Sequence, residues 1–373
     1  MILSNYLSDQ IKSLDDEIKN CDYNSYESPI YDPKTHYEEL TRSGYFYSII
    51  ILRQILKLSA DYYFIYKNKF RHVDLYMITP SISSPMGPGS DSIPVAIKFG
   101  NLDSFLVDSS QFGFEPLLLN GMDKVYCYLP SIRGEEPDKR HLNQFFNCEA
   151  EIKGGMDKLY PLIEGFIKTL IQSFLLAPNL LEKLSLNYDE TILSFNRILK
   201  LKQFPEITFD EAVDALVKED FSDYINFTDK GRDIKSAGEL KLAEIFNFDT
   251  PFWIKNFDRD RVPFYQKPHK DNNDRVICRD MIFPPIIKNA FGGEVVGSGE
   301  RQNNHKIMLE SLARQNVNPK PYEWYINLRR LPKYETTSGF GLGVERFITW
   351  SLCRDNIRDV ILYPRILNVE TYP

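Results

Sequence analysis

The stretch Thr337-Ser-Gly-Phe-Gly-Leu-Gly-Val-Glu-Arg346 continues as Phe-Ile-Thr-Trp-Ser-Leu-Cys353 and closes on Asn356-Ile-Arg-Asp-Val-Ile-Leu-Tyr-Pro-Arg365. Gly339, Gly341 and Gly343 alternate with Phe340 and Leu342, so a strand here carries side chains on one face and none on the other. A flat ligand or another backbone can approach the bare face closely. From there the apolar residues fall at Val344, Phe347, Ile348 and Leu352, a helical spacing with one buried face. Arg346 therefore lies in the first turn of a helix that begins where the glycine strand stops. A cation at that end opposes the helix dipole, and either a bound anion or an ordinary ion pair accounts for it.

The 373 residues are 43% hydrophobic and 26% charged, a globular balance long enough for one large domain or two ordinary ones. The net charge of −7 supplies no basic footprint for strong nucleic-acid binding, although a local basic groove fits inside an acidic total. Cys21, Cys127, Cys148, Cys278 and Cys353 are scattered, odd in number and without metal-ligand spacing. They read as free thiols in a reducing, cytoplasmic setting. The first ten residues lack a basic start and a long apolar run, so no secretory signal is expected. The most apolar window, Tyr45–Tyr66, is interrupted by Arg53, Lys57 and Asp61 and reads as a buried helix rather than a membrane span.

Residues 1–40 read as a polar extension holding a short helix, Tyr6–Lys19, and a turn-rich piece around Ser28–Pro33. Residues 41–373 read as one domain with a helical insertion at about 177–250. Ser43–Leu58 is an amphipathic helix with Ile49, Ile50, Leu52, Ile55 and Leu56 on its buried side. A strand is expected at Val73–Thr79, then a Pro/Gly loop, Ser81–Ser92, long enough to act as a lid. Ile93–Val107 reads as a hairpin, and Ser109 as the N-cap of a helix over the next ten residues. Strands follow at Lys124–Ile132 and Phe145–Ile152, then a long helix at Asp157–Leu176. The insertion contains a capping box at Thr208–Glu211. After it come a mixed strand region, Pro251–Ile282, the Gly-rich segment Gly292–Arg301, a helix at His305–Arg314 and a strand-like Trp324–Leu328. The sum is an α+β fold, an antiparallel sheet flanked by helices.

Two constellations carry candidate chemistry. The loop Arg133–His141 sets seven ionisable groups between two apolar strands. It is either a solvated hairpin tip or an anion site, with Arg133 the natural bidentate partner of a phosphate or carboxylate. Glu149 and Glu151 lie inside the second strand, where charged groups usually have a bound partner. Asp280 and Glu294 form a second acidic pair beside apolar residues, suited either to the surface or to Mg²⁺ with substrate oxygens. Arg301, seven residues after Glu294, points to the opposite pleat side only if the strand between them is regular.

Several segments together carry a resemblance. Lys124-Val-Tyr-Cys-Tyr-Leu-Pro-Ser-Ile-Arg133-Gly-Glu135 with Arg140-His-Leu-Asn-Gln-Phe-Phe-Asn-Cys-Glu149-Ala-Glu151 resembles motif 2 of the class II aminoacyl-tRNA synthetases, aspartyl/asparaginyl branch. Gly339–Arg346 resembles motif 3, and the helix and strand before Pro80 resemble motif 1, the dimer-forming element. Gly293-Glu-Val-Val-Gly-Ser-Gly-Glu-Arg301, Trp324-Tyr-Ile-Asn-Leu-Arg-Arg330, Arg261-Val-Pro-Phe-Tyr265 and Asn356–Arg365 are similar to the asparaginyl pattern. The likeness runs in unbroken order over about residues 43 to 367.

The resemblance implies a class II sheet that binds ATP in a bent shape with Mg²⁺ and forms an aminoacyl-adenylate. By position, Arg133 holds the α-phosphate and the substrate carboxylate, and Arg346 the γ-phosphate. Phe145 stacks on adenine, Glu135 lies near its amino group, and Arg140 and His141 complete the nucleotide site. Asp280 and Glu294 match the metal ligands. Ser109, Gln111, Glu115, Glu149 and Arg301 form the amino-acid site, with Gln111 on the α-amino group and Arg301 on the side chain. Such roles fit a reaction that needs positioning and charge neutralisation more than covalent catalysis.

Departures from the pattern shape the expected function. Only about 40 residues precede motif 1, where relatives carry an oligonucleotide-binding barrel, so no N-terminal barrel is expected. Gln144 takes a glutamate position, the loop from Arg133 to Arg140 is one residue short, Met86 stands where the lid offers a glutamate, and Thr337 stands where histidine is frequent. Together they leave ATP binding intact and put tRNA charging in question. Phe114, followed by Glu115 as in the asparaginyl pattern, stands where an aspartyl-type site has a lysine, so Asn is preferred over Asp. An archaeal-type asparagine synthetase is also similar around Ser298–Arg301. The expectation is a homodimeric ligase, without membrane association, that activates Asn, Asp or a close analogue. It would pass the acyl group to ammonia, a small amine or a carrier; the alternatives are tRNA charging and a silent ATP- or amino-acid-binding regulator.

Overall fold

The computed structural model describes residues 3–83 and 93–372. The expected lid therefore lies outside the described residues from position 84 to 92, Met86 included. An eight-stranded sheet organises the chain. Its spatial order is Arg71–His72, Lys124–Ile132, Gln144–Lys153, Thr337–Gly343, Gly293–Glu300, Cys278–Phe283, Phe252–Lys255 and Glu206–Thr208. The two outermost strands pair in parallel with their neighbours, and every internal pairing is antiparallel.

One face of this sheet is apolar. Cys148, Ala150, Val296, Phe340 and Leu342 point into a core shared with the helices Gly44–Asp61, Met156–Leu175 and Val344–Ser351. The N-terminal helix, Asn5–Asn20, begins at a Ser4 cap and buries Leu7, Ile11, Leu14 and Ile18 in that same core. Ser43 caps the helix Gly44–Asp61 by accepting the Phe46 N–H. Ile49, Leu52, Ile55 and Leu56 are buried on it as expected, but Ile50 is 43% exposed. The apolar stripe runs instead through Ile51, which follows the helical period that Ile50 breaks.

Across residues 177–250, the helices Pro178–Leu184, Tyr188–Lys200, Phe209–Lys218 and Ser236–Ile245 are interspersed with the sheet strand Glu206–Thr208 and a hairpin, Ile225–Thr228 with Gly231–Ile234. The capping box at Thr208 and Glu211 is present. Two expected strands are not. Val73–Thr79 is split: the Val73 N–H donates to the Tyr126 carbonyl, whereas the Met77 carbonyl accepts from Val107 in a separate three-stranded sheet. Trp324–Leu328 belongs to a helix, Glu323–Leu328, entered through a 3₁₀ turn at Lys320–Tyr322. There Tyr325 and Ile326 pack on Phe112, Phe264 and Tyr322, so tertiary packing overrides the strand preference of an aromatic and β-branched run. No single helix among the described residues is long and apolar enough to cross a membrane.

Candidate active site

The other face of the sheet is where the glycines meet. Cross-strand alignment puts Glu149, Gly341, Gly297 and Asp280 in one row and Glu151, Gly339, Gly299 and Cys278 in the next. Between Met281 and Ile282 the register shifts, so that Met281 faces Val296 while Ile282 faces Glu294 and Val295 has no partner. A bulge of one residue reverses the alternation beyond it. Glu294 thereby joins Gly297 and Arg301 on the bare face, rather than the opposite one that a regular strand would give.

The two glycine rows serve different tenants. A Cβ on Gly339 would lie 2.5 Å from Arg301 Nη2 and 2.9 Å from the Ala150 carbonyl, and one on Gly299 would overlap Gln266. On Gly341 it would meet only Glu149, at 3.5 Å, and on Gly297 only Glu294 and Asp280, at 3.2 and 3.6 Å. The first row is bare to admit the protein's own side chains, and the second opens on a cavity of about 310 Å³.

Cations gather at one end of that cavity. The Arg133 guanidinium stacks over the Phe145 ring, 5.2 Å from its centroid, makes no ion pair among the described residues and leaves a buried Nε without an acceptor. Arg346 Nη1 lies 3.1 Å from the Glu294 carbonyl and 3.5 Å from its carboxylate. His141 Nδ1 is 2.9 Å from Asp138, and burial, helped by the Arg346 charge, shifts the imidazole pKa down against the pull of Asp138. Glu135 completes this wall. Buried guanidinium donors without acceptors are costly and are satisfied by a multiply charged anion.

Facing them, the Asp280 carboxyl is pushed well above the carboxylate range by burial and by the charges of Glu294 and Glu239. Burial also pushes Glu239 up, to about 7. No cluster of three metal-ligating side chains exists among the described residues. The Asp280–Glu294 pair nonetheless fits Mg²⁺, which takes one or two carboxylates plus phosphate oxygens, and a cation would relieve the repulsion recorded in Asp280.

The far end is polar. Glu149 accepts the Ser109 hydroxyl at 2.6 Å and the Ser110 N–H at 2.7 Å, and burial raises its pKa. Arg301 pairs with Glu151 at 3.2 Å, both side chains almost fully buried, and Thr337 donates to Glu151 at 2.7 Å. Burial pushes the Glu151 carboxyl up to about 7 against the pull of Arg301. Gln111 Nε2 donates to the Tyr265 hydroxyl, and Arg301 lies 5.4 Å over the Tyr265 ring.

All the residues nominated from the sequence line this cavity except Glu115. Glu115 is buried behind it, paired with Arg329 at 2.8 Å and accepting from Tyr325 and Tyr334. The correction has a plain cause: Glu115 opens the helix Phe114–Leu119, whose packing turns it toward the helix Glu323–Leu328 that the sequence had suggested as a strand. Sequence reasoning missed Glu151 as the Arg301 partner, Tyr265 and Gln266 on the wall, and Glu239 behind Arg140. Tyr265 stood in a quoted segment and Glu151 was marked as a charge inside an apolar strand, without its partner; nothing local marked Gln266 or Glu239.

A family model described as tRNA synthetases class II (D, K and N) matches residues 31–367. The chain belongs to that family. Within it, the chain is 28% identical over 349 residues to an asparagine–tRNA ligase of Mycoplasma genitalium, covering 89% of this chain and 74% of that one. Among solved structures, asparaginyl-tRNA synthetase of Pyrococcus horikoshii complexed with asparaginyl-adenylate superposes with a TM-score of 0.79 at 26% identity, over 92% of this chain and 74% of that one. Asparaginyl-tRNA synthetase of Entamoeba histolytica shares the fold, with a TM-score of 0.74 at 23% identity over 95% and 75% of the two chains. This is a ligase of the aspartyl/asparaginyl branch, with the ATP-dependent aminoacylation chemistry of class II.

Proposed function

We propose that this enzyme activates asparagine as its adenylate and transfers the asparaginyl group to tRNA. The observation that carries the amino acid is the Arg301–Glu151 pair at 3.2 Å. A cation already matched by a buried carboxylate, with Glu149 alongside, suits a neutral amide. An aspartate side chain would bring a further unmatched charge at a cost of several kcal/mol.

In this reading a carboxylate oxygen of asparagine attacks the α-phosphorus of ATP. The bond to the bridging oxygen breaks, and pyrophosphate leaves with the electron pair. Phe145 stacks on the adenine and Glu135 accepts from its amino group. Arg133 stabilises the α-phosphate and orients the attacking carboxylate, while Arg346, with Arg140 and His141, holds the departing phosphates. Ser109 and Gln111 line the end that takes the amino acid, Gln111 toward its α-amino group. Asp280 and Glu294 would hold Mg²⁺, which supplies positive charge beside the phosphate oxygens when bound. Positioned charge of this kind supplies most of the acceleration in phosphoryl and adenylyl transfer.

The tRNA acceptor is supported by the relatives, which bear that name across 89% of this chain. They favour it over the ammonia, amine or carrier that the sequence departures suggested. A homodimer through the helix Gly44–Asp61 belongs to the same reading. Incubating the enzyme with labelled asparagine, ATP, Mg²⁺ and bulk tRNA tests it. Acid-precipitable asparaginyl-tRNA is expected. Pyrophosphate exchange without charged tRNA would return the acceptor to a small molecule or carrier.

A further inference from the structure

The nucleotide end of the cavity is braced from outside it. Arg140 leaves the loop between two sheet strands, and three groups decide where its guanidinium lies: the Gly292 carbonyl, the Phe291 ring at 4.9 Å and the Glu239 carboxylate at 3.8 Å. Glu239 comes from the helix Ser236–Ile245, in the helical insertion. The same carboxylate accepts the Glu294 N–H at 3.0 Å, and Glu294 in turn engages Arg346 through its carbonyl and side chain. One side chain of the insertion thus touches both the Arg140 guanidinium and the strand residue that positions Arg346.

Gly293 reports how closely this is built. Its φ is +103°, and a Cβ there would lie 2.3 Å from Arg140 Nη2 and 2.7 Å from Glu239 Oε2. The pair closes over a residue that can only be glycine. At 3.8 Å the contact is charge attraction without a hydrogen bond, and Arg140 Nε has no acceptor among the described residues. Arg140 is held in place with donors to spare.

We propose that Glu239 is a positioning residue for the triphosphate: it keeps Arg140 and, through the Glu294 backbone, Arg346 aimed into the cavity. This couples the helical insertion to nucleotide binding, and it rests on the nucleotide reading of the cavity given above.

The test uses the full chain with the variants Glu239→Ala, Glu239→Gln, Arg140→Ala and the Glu239→Ala/Arg140→Ala double variant. Two readouts are compared, the equilibrium affinity for α,β-methylene ATP with Mg²⁺ and the KM values for ATP and asparagine in pyrophosphate exchange. Glu239→Ala weakens analogue binding and raises the KM for ATP about tenfold, with the KM for asparagine unchanged, as expected for a charge-assisted contact to one substrate. Glu239→Gln, which keeps an acceptor for the Glu294 N–H but loses the charge, falls between wild type and Glu239→Ala. The double variant binds no more weakly than Arg140→Ala alone, because the two residues act as one unit.

Unchanged ATP affinity in Glu239→Ala, multiplying penalties in the double variant, or an equal rise in the KM for asparagine would overturn the proposal. If Glu239→Ala does not fold, a folded Glu239→Gln with wild-type ATP affinity overturns it. A wild-type chain that binds no analogue removes the nucleotide reading itself, and the proposal with it.

Discussion

The two ends of the cavity solve opposite problems with the same kind of residue. At one, Arg133 sits on Phe145 with no ion pair among the described residues, and Arg346 has only the edge of Glu294. At the other, Arg301 is locked to Glu151 in the interior. An unmatched guanidinium is a site for a polyanion; a matched one recognises shape and hydrogen bonds. The glycine rows repeat the contrast, one vacated for a ligand and one vacated for Arg301 and Gln266. In the proposed function, one sheet face takes both a highly charged substrate and a neutral side chain, and the distribution of counter-charges separates them.

That contrast can be broken experimentally. Removing an unmatched cation should have the largest effect. Arg133→Ala or Arg346→Ala lowers the exchange rate by about 1000-fold or more with the melting temperature unchanged, since the loss is charge stabilisation of the reacting phosphates. Next come the glycine rows. Gly341→Ala leaves stability intact but raises the KM for ATP roughly 30-fold, because the added methyl takes space only a ligand uses. Gly339→Ala instead costs about 1–3 kcal/mol of stability through overpacking against Arg301 and the Ala150 carbonyl. Chemical denaturation alongside exchange kinetics checks both.

A smaller effect is expected at the matched end. Glu151→Gln leaves Arg301 without its counter-charge and narrows the preference for asparagine over aspartate by about tenfold. The smallest effect is a pH dependence of the same preference. Glu151 is pushed up to about 7, so it is charged above that pH and neutral below it. As pH falls from 8 to 6 the pocket gains positive charge, and the asparagine-to-aspartate ratio of kcat/KM falls roughly threefold. A flat ratio across that window would show that Glu151 does not set the pocket charge.

How much of this the sequence disclosed follows from how local each feature is. The glycine strand, the helix that follows it, the strand leading into Arg133 and the strand bearing Glu149 were legible because their periodicity and chemistry lie in contiguous residues. Three things were not. The bulge at Val295 is a matter of pairing between strands, and it decides that Glu294 and Arg301 share a face. The Arg301–Glu151 pair joins residues 150 apart, and Glu239 arrives from a stretch that read as mostly helical; a charge inside an apolar strand signals that a partner exists, but neither segment says which distant residue it is. Glu115 and the helix Glu323–Leu328 failed together, since assigning the second as a strand removed the buried partner that claims the first.

The most direct measurement is ATP–pyrophosphate exchange with Mg²⁺ across the twenty amino acids. The opposed counter-charge pattern predicts exchange with asparagine, with aspartate weaker by about 100-fold or more. Exchange with none of the twenty, or aspartate turning over as well as asparagine, would contradict it.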